Sequence, residues 1–458
     1  MKQRTKVVML ATLVAATAQA QEVSVYGTSM AQVWREDLPG FNKNTVMPAT
    51  QYLGIDATKL GSERLSLHLF GWGNAQLGDV PQDYSRTSSD LTYGYLEYRF
   101  NQANADVKLG RFAINSGAGL EQVDGVTARA DLRGGFTISA FAGKPVLYRL
   151  QNATLQNDYE AQRKLIFGTR LGLRMSRVAE VGVSFLQDGT APAKDGLNPP
   201  VDFTRKQVTG DVRIRPNAVI DFTGHTTYEL EDHNQPVGAD KASRLAEHDY
   251  TLSLKLGKLV SVAGNYVERN YQAYFAGSTM PSLFRTDEKD GHKTYGASVI
   301  FNGGGTLEVI PDYRHTHRDS YGDSNRFGAD VRWAFAKNFK SGFSFHKVNA
   351  DTVAFTTGPI PSYALAYREL RAWAMYEGAV MCVSVDGIQH HFDDKNNPNL
   401  NGIDTAYELI GSLGVKLSPN FKISGDVGVS QDAIYKREGR AALRLDWRFG
   451  LGSKGGSK

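Results

Sequence analysis

The sequence predicts an all-β protein: a transmembrane, antiparallel, up-and-down β-barrel of about 22 strands, between roughly 18 and 24, with no plug domain. Three observations predict it. Apolar and polar residues alternate over many segments of strand length. The connections between those segments alternate between short and long. The N-terminus reads as a secretory leader.

The leader comes first. MKQRTKVVMLATLVAATAQA has Lys2, Arg4 and Lys6 before a short apolar run, Val7 to Ala16, and then the small-residue site Ala18-Gln19-Ala20. That is a signal peptide over 1–20, with cleavage expected between Ala20 and Gln21. Losing the three leader cations takes the 52 basic residues to 49, against 48 acidic ones. So balanced a chain gives no global electrostatic case for nucleic acid. The single cysteine, Cys382, excludes an intrachain disulfide framework and a C-x-x-C-H haem site. No apolar run long enough for a membrane helix follows the leader. The chain is rich in Gly (47), Tyr (21) and Phe (22), which leaves a secreted β protein or an outer-membrane barrel.

The connections decide between them. Short ones such as Leu60–Glu63, Asn101–Asn104, Asp131–Gly134, Ser176–Ala179, Asn302–Gly305 and Ser418–Asn420 carry Gly, Asn, Pro and Ser, as hairpin turns do. Between them lie longer ones: Arg35–Thr50, Gln76–Asp90, Lys144–Gln162, Asp188–Thr204, Leu230–Ala246, Gln272–Gly291, Asp351–Ala364 and Phe392–Gly402. Roughly ten short turns alternate with about eleven longer loops, the pattern of periplasmic turns and extracellular loops. No linker or helical block is expected to interrupt the series. The barrel is expected to occupy 21–449, followed by a flexible tail over 450–458.

The faces agree. Leu171 and Leu173 oppose Arg170 and Arg174. Leu252 and Leu254 oppose Ser253 and Lys255. In the last strand, Ala441, Leu443, Leu445, Trp447 and Phe449 oppose Arg440, Arg444, Asp446 and Arg448. Lipid leaves no unpaired backbone group tolerable, so such a sheet must close with one wall apolar and the other wet. The expected pore-lining residues are Glu97, Arg99, Arg170, Arg174, Asp211, Arg213, Lys255, Glu308, Asp312, Arg314, Glu369, Arg371, Glu408, Lys416, Lys422, Asp426, Arg440, Arg444, Asp446 and Arg448. Aromatic residues near segment ends suit girdles at the membrane surfaces: Tyr26, Trp34, Trp72, Tyr98, Phe100, Tyr266, Tyr313, Tyr376, Tyr407, Trp447 and Phe449. Two segments read poorly. Pro311 stands inside one, and Arg111 shares parity with Val107 and Leu109. A bulge or an early strand end is expected at each.

Catalytic patterns are absent from the local sequence, so no enzyme is expected. His315 and His317 share a strand face and His390 adjoins His391, but neither pair has further ligands at metal spacing. Asp393 to Asn397 reads as a solvated loop. No metal site and no cofactor are expected on this chain.

The stretch Val107 to Val146, VKLGRFAINSGAGLEQVDGVTARADLRGGFTISAFAGKPV, resembles the early hairpins of bacterial outer-membrane porins. More narrowly it is similar to the barrel subunits of porin–cytochrome conduits. The resemblance implies one of two roles. One is a channel for small hydrophilic solutes or ions. The alternative is a barrel sheath for extracellular electron transfer, whose lumen is filled by multihaem cytochromes and whose haem belongs to those partners. Outer-membrane lipid is the expected surrounding in both.

Overall fold

A computed structural model describes residues 20–36, 44–80, 85–100, 102–115, 119–147, 153–189, 204–230, 245–275, 291–318, 322–351, 366–394, 400, 402–432 and 438–452. In the first half the strands are β1 (Ala20–Glu36), β2 (Asn44–Val46), β3 (Pro48–Leu60), β4 (Leu65–Gln76), β5 (Thr87–Phe100), β6 (Ala105–Asn115), β7 (Leu120–Asp131), β8 (Phe136–Pro145), β9 (Ile166–Met175), β10 (Ala179–Asp188), β11 (Arg205–Ile214) and β12 (Ile220–Glu229). The second half adds β13 (Leu245–Lys255), β14 (Val260–Arg269), β15 (His292–Gly303), β16 (Leu307–Arg318), β17 (Gly322–Ala336), β18 (Phe339–Ala350), β19 (Tyr367–Glu377), β20 (Met381–Phe392), β21 (Thr405–Ser418), β22 (Phe421–Gln431) and β23 (Glu438–Gly452).

All 23 form one sheet. The three-residue β2 only extends the upper edge of β1, with Trp34 opposite Val46, and the other 22 are the staves. Each stave is antiparallel to the next. The ring closes because Thr28 of β1 lies opposite Tyr52 of β3 on one side and Asp446 of β23 on the other. Every interior ladder is thereby paired, which is what a lipid environment demands.

Alternation gives the sheet two unlike walls. One wall carries large exposed apolar side chains: Leu109, Leu171, Val183, Val427 and Leu443 are all more than half exposed. In water such a surface would aggregate, and in a bilayer it is the lipid face. The other wall carries the ion pairs. Several of these bridge strands two apart, as Arg170 to Asp211 and Arg440 to Glu408 do, which requires the concave side.

The structure changes several expectations. Pro311 neither ends β16 nor bulges it. The ladder to β15 is interrupted between Asp312 and Val309 without a change of register, while Pro311 stays paired with Ala329 of β17, so the missing N–H falls on one side only. Arg111 does not end β6 either. The bulge lies one strand away, in β5 opposite Phe70 and Gly71, and Arg111 points outward from an intact pair with Asp124. The connection after β8 is not free of helix: α1 (Ala153–Gln162) forms there, and a single turn, α2 (Tyr271–Tyr274), follows β14. Tyr26, Trp34 and Trp72 are not girdle residues, because the register turns them inward. β23 runs three residues past Phe449, to Gly452 opposite Glu22, taking in the start of the segment expected as tail. The leader over 1–19 and the segment 453–458 lie outside the described residues, and Ala20 is the first residue of β1.

Candidate functional site: the lumen wall

All twenty residues expected to line the pore share the inner wall, because each stands in register with another of them or with a neighbour of the same face. Arg170 stands opposite Ser184 and Asp211 opposite Gly182, and Asp312 lies opposite Ser298 and Gly328. Lys416 meets Lys422, and Lys422 meets Asp446. With 22 staves about 4.8 Å apart and tilted about 40°, the backbone ring is about 40 Å across, too wide for wall side chains to fill.

Alternation places these charges but does not pair them. The structure pairs most of them locally. Arg371 binds Asp386 through two hydrogen bonds of 3.0 and 2.5 Å. Arg332 reaches Glu308 at 3.1 Å, and Arg444 reaches Asp446 at 3.3 Å, where Thr28 also donates at 2.6 Å. Arg99 bonds Glu97 at 2.5 Å, and Arg213 and Arg215 share Asp221. Pairs this wet contribute little stability each, and they leave the wall hydrated.

One cluster is different. His346 on β18 is 1% exposed, although it faces the lumen. Its Nε2 lies 2.8 Å from Asp312 and its Nδ1 lies 3.3 Å from Glu369. Arg326 donates to Asp312 at 2.8 Å and stands 3.7 Å from Glu369, and His390 meets Glu369 at 3.1 Å. Five side chains from β16 to β20 thus form one network around the buried His346, partly exposed at its rim, in which Arg326 faces the carboxylates of Asp312 and Glu369. Asp312, Asp330 and His346 also bring ligand-type atoms within 4.8 Å of one another. Arg326 already supplies positive charge to Asp312. Sequence spacing pointed instead to His315 and His317, which face outward, and to His390–His391, of which only His390 is inside. The partners of His346 are 34 and 23 residues away, and only the register unites them.

Two further features of the lumen have no local sequence signal. The first is a strip of rings. Phe70 on β4 stacks on Tyr26 (6.3 Å between centroids, 23° between planes), Tyr52 (6.2 Å, 14°) and Tyr93 (5.5 Å, 19°). Tyr95 continues it beside His68 at 5.1 Å, and the Lys108 ammonium sits 5.1 Å from the Tyr95 centroid. The Tyr26 and Tyr93 hydroxyls meet at 3.0 Å. Such offset stacks add attraction beyond burial alone.

The second feature is a latch at the extracellular end. Phe112, Val123, Phe141, Ile166 and Leu186 face inward on β6–β10 and are at most 6% exposed. Beside them the end of α1 turns into the barrel. Tyr159 is fully buried and accepts a 2.5 Å hydrogen bond from Arg163. Arg163 pairs with Asp188, which has no exposed surface, and Arg205 joins Asp188 to Glu121. Burial opposes the charge on Arg163, but Asp188 outweighs it and holds the guanidinium more basic than usual. Below the latch a recess of about 1200 Å³ opens between β6 and β13, lined by Arg129, Arg170, Arg174, Asp211, His225 and Asp249 among others.

No protein-family model matches the sequence. Solved structures do match in fold. The siderophore receptor PirA from Pseudomonas aeruginosa aligns over 93% of this chain and 80% of its own, at 11% identity and a TM-score of 0.54. The PirA receptor from Acinetobacter baumannii aligns over 92% and 80%, with the same identity and score. OccK11 (OpdR) from Pseudomonas aeruginosa aligns over 94% and 96%, at 10% identity and a TM-score of 0.43. The chain therefore has the fold of a bacterial outer-membrane β-barrel, and its apolar outer wall places it in that membrane.

Proposed function

We propose that the chain is a porin-like channel that passes small hydrophilic solutes or ions across the outer membrane. The observation that carries this reading is the lumen wall itself: a closed ring about 40 Å across, lined by hydrated charges of both signs. The end of α1, held by Arg163 and Asp188, narrows one side of the mouth. Reconstitution of the refolded full chain in planar bilayers tests the reading. A stable conductance is expected, larger in Arg163→Gln, where the latch is released while Arg205 still neutralises Asp188. A folded barrel that carries no current would overturn it.

A second reading has one observation in its favour, the strip of Tyr and Phe rings facing the lumen. Rings of that kind are enriched where proteins meet. They support a barrel whose lumen sheathes partner proteins, multihaem cytochromes in the electron-conduit version. This chain has no C-x-x-C-H motif, so the haem would be the partner's. Haem proteins that copurify with the barrel and block its conductance would favour the sheath, and current unaffected by such partners would sink it.

A further inference from the structure

The outer wall is not uniform. From β9 to β21 its extracellular half carries rings, among them Tyr228, Tyr295, Tyr313, Phe327, Phe345 and Tyr407, as a headgroup-level girdle should. On β1 and β3–β8 the described outward positions at that height carry no ring. They carry Ser29, Ala31, Gln51, Gly73, Ala75 and Ser89 instead, around a groove of about 840 Å³ that spans β1 and β3–β5 and is closed on its other side by Leu443 and Leu445 of β23.

A charged cluster faces outward on the same stretch. Arg111 grips Asp124 with two hydrogen bonds, 2.6 and 2.8 Å, and reaches Asp90 at 3.1 Å and the Leu91 carbonyl at 2.9 Å. Lys144 stands opposite Asp124 on β8. Arg111 pairs with Gly94, six residues above Phe100 of the periplasmic girdle. With the strand rise and tilt that is about 15 Å, inside an apolar band about 25 Å tall. Lipid-facing charge is penalised at such depth. Above the band the polarity reverses again. Leu77 and Leu120 are 64% and 76% exposed at the extracellular ends of β4 and β7, where water is expected. This wall is polar where lipid should be and apolar where water should be.

We propose that the outer face of β1 and β3–β8 is the contact between two copies of this chain in the membrane. Arg111 and Lys144 stand beside Asp124, so the surface carries both signs at one height and complements its own two-fold image. Small side chains let two walls approach closely. Seven strands span about 34 Å, and over an apolar band about 25 Å tall the face covers on the order of 800 Å², the share each partner gives to an ordinary stable interface.

Native mass spectrometry of the full chain, released from nanodiscs, reads the outcome. The wild type should appear as a dimer. Ala31→Trp and Ser89→Trp should be monomers with an unchanged heat-modifiable gel shift, and Val331→Trp on β17, across the ring, should stay dimeric. A photo-crosslinking residue at Gln51 should capture a second copy, a readout that needs no folded Trp variant. A wild-type monomer, a dimer that survives both Trp variants, or a Gln51 crosslink to lipid or to a different protein would each overturn the proposal.

Discussion

The wall built by β1 and β3–β5 and the wall built by β16–β22 share one backbone geometry, yet above the periplasmic girdle they carry most of their rings on opposite faces. In the first, Tyr26, Tyr52, Phe70 and Tyr93 stack inside, while the outside is Ser29, Gln51, Gly73 and Ser89. In the second, Phe327, Phe343 and Phe345 stand outside, while Asp312, Arg326, His346 and Glu369 network inside. Strand alternation dictates only that the two faces differ. Which face is apolar follows from what each one touches, and a barrel wall that breaks the usual assignment marks a place where lipid and water are not the only neighbours.

Substitutions can break this contrast from either side. The largest effect is expected at Asp312→Ala, which leaves Arg326 and the buried His346 without their shared carboxylate. Removing one partner of a fully buried ionic network loses about 3–5 kcal/mol, and this partly exposed one should sit at the low end, about 3 kcal/mol, read as a lower urea midpoint of the refolded barrel. Next comes charge on the outer walls. Val427→Arg should lose about 2–4 kcal/mol, the penalty for Arg near the bilayer midplane, while Ser29→Arg at the polar face should lose clearly less in the same titration. Equal losses would erase the difference between the walls. Phe70→Ala removes the ring shared by three stacks and should cost about 1–3 kcal/mol, with Phe70→Tyr restoring most of it. The smallest effect belongs to Arg371→Ala. Its pair with Asp386 is half exposed, so about 1 kcal/mol or less is expected, and that only at low salt.

The sequence made the staves legible because each repeats one alternation. Leu443, Leu445 and Trp447 against Arg444, Asp446 and Arg448 cannot be mistaken for a helix. The inner wall followed from the same parity. Three things were not legible. The bulge opposite Phe70 shifts the parity of β5, so Thr87 to Asp90 cannot be assigned a face by counting back from Glu97. α1 reads ATLQNDYEAQ, with no apolar stripe to announce a helix, and its end is held by the tertiary pair of Arg163 and Asp188. Tyr26 and Trp72 sit at strand positions that a girdle would use, and only their partners across the sheet reveal that they point inward. For the bulge and the two rings the deciding information is cross-strand register, and for α1 it is a pair 25 residues apart, neither of which spacing along one chain contains.

Closure carries its own consequence. The hydrogen bond from Thr28 to Asp446 joins residues 418 positions apart, and Glu22 lies opposite Gly452 at the periplasmic end. The ends of β1 and β23 are therefore as close as the ends of any hairpin in the ring. A short turn linking them, with a new opening in an extracellular loop, should produce a permuted chain that closes on the same staves. A chain that lacks either stave leaves β1 or β23 without its partner and an unpaired edge facing hydrocarbon unless the remaining staves close in a new register. A ring sealed between its first and last strands leaves the lipid no edge to meet anywhere around it.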